Sequence, residues 1–393
     1  MTANALPLEF RLLAACCRWP RRPEHVEAVR VANDGVDWTL FLQLAKYHRV
    51  TALAVNGLQA AGVSPRADVL QQLTVQARAS VLQSLTVAHD TIRLQEAFDR
   101  NAIPVLFLKG ATLAIRSYGT LAVKHSRDID VLTLPSSVGD ALSLMGKLGY
   151  KLKPPFNRMN QTQVEHFVRY GRELPLQSTN DGLIVEIKWW PTANHTLLSG
   201  LSAMSPNQTI AIANSAAART FDDAYLFAYL CAHGAVHRWS RLKWLSDLHA
   251  LLATTPPDVV ASWYRRAAEI GAGACAAQAL LLCDTVFGMP LPADLKPALF
   301  RWHPKHLAAA ALRSMSCPAK ADLAGDRIFG GKTTAPYSFR LGTSFRFLFE
   351  QFGKASVQAL DAVFFRLPKQ MYWLYPILRV PFFVLRKILR LHV

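Results

Sequence analysis

Charge is scarce in this chain of 393 residues: Asp, Glu, Lys and Arg make up only 18% of it, against 51% hydrophobic residues. Acid is scarcer than base, with 27 Asp and Glu against 44 Lys and Arg, a formal net charge of +17. Few charges and many aromatics and aliphatics, spread along the whole length, exclude a disordered chain. The excess of base fits a polyanionic partner, either nucleic acid, nucleotide phosphates or an anionic membrane face, but it equally fits a generally Arg-rich background. The six cysteines form no CxxC pair and no Cys/His metal spacing. They sit in apolar, helical-looking stretches and read as reduced core residues. The first apolar stretch is only about six residues long, with Glu9 and Arg11 just ahead of it, a poor secretory signal. A cytoplasmic protein is expected, with no repeats and no low-complexity tract.

The chain is long enough for several domains. Residues 1–100 read as a helical region, with apolar residues at three- and four-residue spacing from Trp38 to Ala45 and from Val69 to Leu94. Ser64-Pro65 has the form of a cap opening the second run. Residues 101–204 change pattern. Short apolar runs at Ile103–Leu108, Ile129–Leu134 and Tyr150–Lys153 read as strands, joined by Gln163–Arg169 and Leu183–Trp189 in a small mixed sheet. Helices are expected over Ala111–Tyr118 and Ser136–Leu148. Residues 205–316 return to helix, with one long helix over Asp222–Leu252. A Gly- and Pro-punctuated linker follows over 317–343, and then a basic, aromatic tail over 344–393. Arg379 and two prolines interrupt the tail's apolar run, which therefore suits a surface-lying amphipathic helix pair better than a membrane span.

The chemistry concentrates in Ser126-Arg127-Asp128-Ile129-Asp130-Val131-Leu132. Residues two apart on a strand share a face, so Asp128 and Asp130 project together, roughly 6 to 7 Å apart. Two carboxylates held that close repel unless a cation lies between them. Neutralising either one should therefore leave the metal-free protein as stable or more so. Magnesium, bound through one or two carboxylates plus substrate phosphates, suits the pair. A third carboxylate would admit a second ion. Glu186, an acid inside the β-branched run Leu183–Trp189, is the best candidate for it, and Asp181 beside Gly182 is the alternative. Upstream, Lys109-Gly110 stands where a strand gives way to a helix, a place where free backbone amides and a point charge meet phosphate. His233, His237 and Arg241, four apart, form one polar line along the expected long helix. They are either a wall of a nucleotide pocket, with His237 and Arg241 reaching phosphate, or buried braces of the helical region.

Taken in order, these segments resemble a known family. Val105-Leu-Phe-Leu-Lys-Gly-Ala-Thr-Leu-Ala-Ile-Arg-Ser-Tyr118, Ser126–Leu132, Val185-Glu-Ile-Lys-Trp189 and His233–Leu248 look like the uncharacterised nucleotidyltransferase family of the DNA polymerase β-type superfamily. The resemblance implies an α+β fold, a small mixed-sheet polymerase-β-like core flanked by helical domains. It implies that Asp128, Asp130 and Glu186 are catalytic metal ligands for two Mg2+ ions. It also implies that Lys109 and Gly110 line the triphosphate site of an NTP, with Ser126, Lys124 and Lys188 beside them. Lys124 stands where the family often has arginine, and Lys188 where it usually has histidine beside the third acid. Gly110-Ala111 replaces the superfamily's Gly-Ser.

The expected reaction moves a nucleoside monophosphate from an NTP to an acceptor hydroxyl on nucleic acid, peptide, protein or glycan. Two other readings fit the same residues: a membrane-associated binding protein on a decayed transferase core, and a toxin-like transferase acting on tRNA. From Phe364 to Val393 the tail carries seven cationic side chains, counting His392, and no acid. It would either hold the protein at an anionic inner-membrane face or pack onto the core.

Overall fold

A computed structural model describes residues 6–213, 216–317, 337–356, 364–365, 367–374 and 377–388. Helices α1 (Leu8–Cys16), α2 (Pro23–Val31), α3 (Trp38–Tyr47) and α4 (Thr51–Ala61) share a core with the first half of α5 (Ala67–Arg100). The long helix starts two residues beyond the expected Pro65, and no side chain caps it. Its 34 residues span about 51 Å at the helical rise. Val69, Leu73 and Ala77 on α5 belong to the helical core, whereas Val87, Leu94 and Phe98 lie under the sheet.

The sheet region runs β1 (Val105–Phe107), α6 (Ala111–Tyr118), β2 (Asp128–Thr133), α7 (Val138–Lys147), β3 (Tyr150–Leu152), α8 (Gln161–Tyr170), β4 (Glu173–Ser178) and β5 (Ile184–Lys188). The strands lie in the order β1-β2-β5-β4-β3, with β2 and β5 parallel and the other neighbours antiparallel. This is an α+β core set among helices. Ile129, Val131, Val185, Ile187 and Leu176 point to one face and pack with α5 and α7. The alternate residues point to the other face, which is left for chemistry.

Three expectations fail here. Gln163–Arg169 belongs to helix α8, because Asn160 and Gln163 form a reciprocal capping box that starts a helix. Its place in the sheet is taken by β4, whose Leu174/Leu176 alternation is masked by Pro175, a residue without a ladder donor. Two strands, β6 (Asn207–Ala213) and β7 (Ala216–Phe221), pair antiparallel where helix was expected. Finally, the helix expected over Asp222–Leu252 is two: α9 (Asp223–Val236) and α10 (Leu242–Leu252). Arg238 and Trp239 have φ of 54° and 50°, which no helix continues through. The Trp239 ring folds back over Gly234, where a Cβ would lie 2.4 Å from it.

Four helices complete the second helical region: α11 (Pro257–Glu269), α12 (Gly273–Phe287), α13 (Lys296–Leu299) and α14 (Trp302–Ser316). Cys16, Cys17, Cys231, Cys275 and Cys283 are buried free thiols, and Cys317 is exposed. Residues 318–336 of the expected linker lie outside the described residues. Among the described residues of the tail are α15 (Phe345–Ser356) and α16 (Arg379–Ile388). On α15, Phe347 is buried, while Phe345, Phe349 and Phe352 are exposed. Among the described residues no helix is long and apolar enough to cross a membrane.

Candidate active site

The register of three strands builds the site. Asp130 on β2 lies opposite Glu186 on β5, and Lys188 on β5 lies opposite Glu173 on β4. With Asp128 two residues before Asp130, four acids and one lysine share the face turned away from the apolar core. Asp130 and Lys188 are buried, Asp128, Glu173 and Glu186 half-buried. The sequence reading missed Glu173. Its signal was the alternation of Glu173 and Pro175 with Leu174 and Leu176.

Lys188 lies among three of these carboxylates. Its Nζ is 3.1 Å from Asp130 Oδ1 and 2.6 Å from Glu186 Oε2, and it also pairs with Glu173 Oε2. Burial works against its charge, but Asp130, Glu173 and Glu186 outweigh that and hold the ammonium well above its usual pKa. Lys109 reaches the same centre from the turn after β1, 2.8 Å from Asp130 Oδ2. Burial would raise the Asp130 carboxyl, yet the two ammoniums keep it well below the usual carboxylate range. Glu186 moves the other way: burial raises it, and Asp130 and Glu173 nearby add to that against Lys188. The cations that keep the acids from repelling one another are therefore lysines of the chain itself. Among the described residues no three His, Cys, Asp or Glu side chains converge as a ready metal cage. The Lys188 ammonium stands between Asp130 and Glu186.

Gly110 adopts φ 75° and ψ −130° just ahead of α6, a conformation that disfavours any side chain. That turn aims Lys109 at Asp130 and opens the α6 N-terminus beside β2. On the far side, α9 brings His233 Nε2 to 3.4 Å from Lys109 Nζ. Burial and the Lys109 charge hold His233 well below its usual pKa, so it is neutral at pH 7 and can accept from the ammonium. His237, at the end of α9, stacks on Trp244 with ring centroids 5.0 Å apart, and burial and Lys109 lower its pKa to about 3. Lys243, which the sequence reading passed over, is half-buried on α10. Burial and the nearby Lys124 lower its amine to about 7, against the attraction of Asp128.

Two expected phosphate contacts face elsewhere. Arg241 is buried against the N-terminal helices, donating to the Tyr47 carbonyl and lying 4.7 Å over the Tyr47 ring. The break between α9 and α10 removes it from the line of His233 and His237. Lys124 pairs with Asp247 on α10 at 3.0 Å, and Tyr118 donates to the other oxygen of Asp247, also at 3.0 Å. Ser126 is buried, and its amide donates to Ser84 Oγ at 3.3 Å. The Ser84 hydroxyl in turn donates to the Lys124 carbonyl at 2.6 Å, so α5 anchors the segment leading into β2.

No curated protein matches the chain. The sequence profile of a family described as an uncharacterised nucleotidyltransferase matches residues 34–288, a span that holds the whole acid-bearing sheet, the Lys109-Gly110 turn and both His233 and Asp247. The chain belongs to that nucleotidyltransferase family.

Proposed function

We propose that the chain transfers a nucleoside monophosphate from an NTP to an acceptor hydroxyl. The observation that carries this reading is the placing of Asp128, Asp130 and Glu186 on one sheet face, directly beside the Lys109-Gly110 turn. The donor set suits a divalent cation. Both oxygens of Asp130 are shielded from solvent, and neither accepts a hydrogen bond of proper direction despite the nearby ammoniums. A carboxylate has about four lone-pair sites, so Asp130 and Asp128 retain capacity for a hard cation and its phosphate ligands.

Held there, such an ion would supply Lewis-acid stabilisation of the charge developing on the transferred phosphoryl group. The remaining parts are the chain's own. Lys109 places a positive charge beside Asp130, where the triphosphate would approach, and neutral His233 holds the amine in position. The α6 N-terminus offers backbone amides to the leaving pyrophosphate. The bond from the α-phosphorus to the bridging oxygen breaks and pyrophosphate leaves, the acceptor oxygen bonds to phosphorus, and the proton of the acceptor hydroxyl passes to solvent.

The test is calorimetric titration with α,β-methylene analogues of the four NTPs, with and without Mg2+, followed by pyrophosphate release from the four NTPs themselves in the presence of RNA, protein and glycan acceptors. Mg2+-dependent binding and release are expected. Absence of nucleotide binding under both conditions would overturn the reading.

The tail supports a peripheral location. Phe345, Phe349 and Phe352 form an exposed stripe on α15, and the following chain is basic. An anionic lipid surface fits both features. Phe349→Ser should weaken sedimentation with anionic vesicles and leave thermal stability unchanged. A lowered melting temperature would place the stripe in the core instead.

A further inference from the structure

We infer that the Lys188 ammonium takes the place of one of the two cations that three acids on this sheet face would otherwise bind, so the centre holds a single divalent ion, through Asp128 and Asp130. This deepens the nucleotidyl-transfer reading above and rests on it.

The position of Lys188 is fixed by the fold. Its place two residues after Glu186 on β5 puts both side chains on one face, and the antiparallel register sets it directly opposite Glu173. Lys188 is therefore built into the sheet and does not swing in from the surface. An ammonium has three N–H donors, and Lys188 has three carboxylates around it: Asp130, Glu173 and Glu186. Two N–H groups donate to Glu173 and Glu186, and the charge lies 3.1 Å from Asp130 as an ion pair. A second ion at Asp130 and Glu186 would have to displace an almost fully buried ammonium that pairs with three carboxylates.

Glu173 gains a reason from the same arrangement. A centre with two ions needs only Asp128, Asp130 and Glu186, so a fourth acid on β4 would be surplus. As the cross-strand partner of Lys188 it seats the ammonium, and Arg172, 2.7 Å from its other oxygen, offsets the remaining charge. Asp128 is the acid that Lys188 does not touch, and it sits half-exposed at the start of β2. It is left for the one ion, together with the lone pairs of Asp130.

Counting ions tests this without recourse to turnover. The full chain is titrated with Mn2+ in the presence of saturating α,β-methylene ATP, or whichever of the four analogues binds, and bound Mn2+ is counted by electron paramagnetic resonance. One ion per wild-type chain is expected, and two per chain in Lys188→Gln, where the neutral amide no longer fills the seat. A wild-type count of two overturns the inference and leaves nucleotidyl transfer standing. A count of one in Lys188→Gln also overturns it, since the seat would then exclude the second ion without the charge. No analogue-dependent Mn2+ binding by the wild type overturns both. If Lys188→Gln fails to fold, the wild-type count still decides.

Discussion

Two buried charge clusters lie on either side of the segment that leads into β2, and they are built differently. In one, Lys124, Asp247 and Tyr118 are all buried, and each oxygen of the single acid has one partner. In the other, Asp130, Glu173 and Glu186 share Lys188, Asp130 also takes Lys109, and Glu173 and Glu186 remain about a quarter exposed at 25% and 28%. The first cluster is closed and matched one to one. It ties α6 and the following loop to α10. The second has more acids than ammoniums and an open edge, which is what a centre that must accept a cation and a phosphate chain needs. Burial of charge alone does not distinguish a site from a brace. Stoichiometry and access do.

The sharpest test of the contrast is Asp130→Asn. Transfer should fall at least about a thousandfold, as for loss of a central electrostatic group. The metal-free protein should also lose about 3 to 5 kcal/mol, because the buried Lys188 and half-buried Lys109 ammoniums are deprived of a shared anion. This reverses the expectation from two repelling carboxylates, since lysines already neutralise Asp130. Asp128→Asn should abolish transfer with far less effect on stability, because Asp128 is half-exposed and outside the Lys188 cluster. Denaturant unfolding without metal, alongside pyrophosphate release, separates the two. Equal stability losses would show that Asp128 belongs to the buried network.

The brace should respond in the opposite sense. Asp247→Asn strands the Lys124 ammonium and should cost about 3 to 5 kcal/mol, with nucleotide affinity unchanged. A Lys124→Met, Asp247→Leu double variant should recover much of that loss, because apolar replacement of a matched buried pair is often neutral. A double variant that loses nucleotide binding would move Lys124 back into the site.

This contrast also marks where the sequence was legible. Asp128, Asp130 and Glu186 could be read because a strand repeats every two residues, and acids inside apolar runs stand out. Lys109-Gly110 was legible from its place between a strand and a helix. Lys124 and Lys188 were noticed as basic residues near the acids, but apart from Glu186 their partners are set by strand pairing and helix packing rather than by sequence neighbourhood. Asp247 lies on α10, and Glu173 on a strand that Pro175 disguised. Arg241 failed for a local reason. Its spacing from His233 and His237 assumed an unbroken helix, and the left-handed turn at Arg238 and Trp239 ended that helix early. Ser80 and Ser84, polar residues four apart on the buried face of α5, were a readable hint that this helix anchors the loop before β2.

A smaller effect is expected at Lys109. Its ammonium is half-buried 2.8 Å from Asp130, and Lys109→Ala should weaken binding of an NTP analogue by about 1 to 3 kcal/mol, the range for a charge-assisted contact. Binding of the bare nucleoside should hardly change. Equal losses for both ligands would assign Lys109 to holding Asp130 alone.

The smallest expected effect is in pH dependence, and it separates the open centre from the brace by its histidines. His237 borders the centre, and burial with the Lys109, Arg172 and Lys188 charges lowers its pKa to about 3. An unfolded chain would protonate it near 6.5. Between those values the unfolded state binds a proton that the folded state refuses, so stability rises with pH. The contribution of His237 is complete above about pH 6.5 and is lost progressively as the pH falls towards 3. In that window His237→Gln should flatten the stability curve by up to about 1.4 kcal/mol per pH unit, the share of one proton. Lys124→Met, Asp247→Leu should leave the slope between pH 6 and 4.5 close to that of the wild type and flatten it only near pH 7, where loss of the Lys124 charge lets the Lys243 amine keep its proton. Urea unfolding at pH 7, 6, 5 and 4.5 measures both. An unchanged slope in His237→Gln would mean that the imidazole reaches water or a counter-charge in the folded protein. The cationic field at the mouth of the centre, on which phosphate binding depends, would then be weaker than its lysines imply.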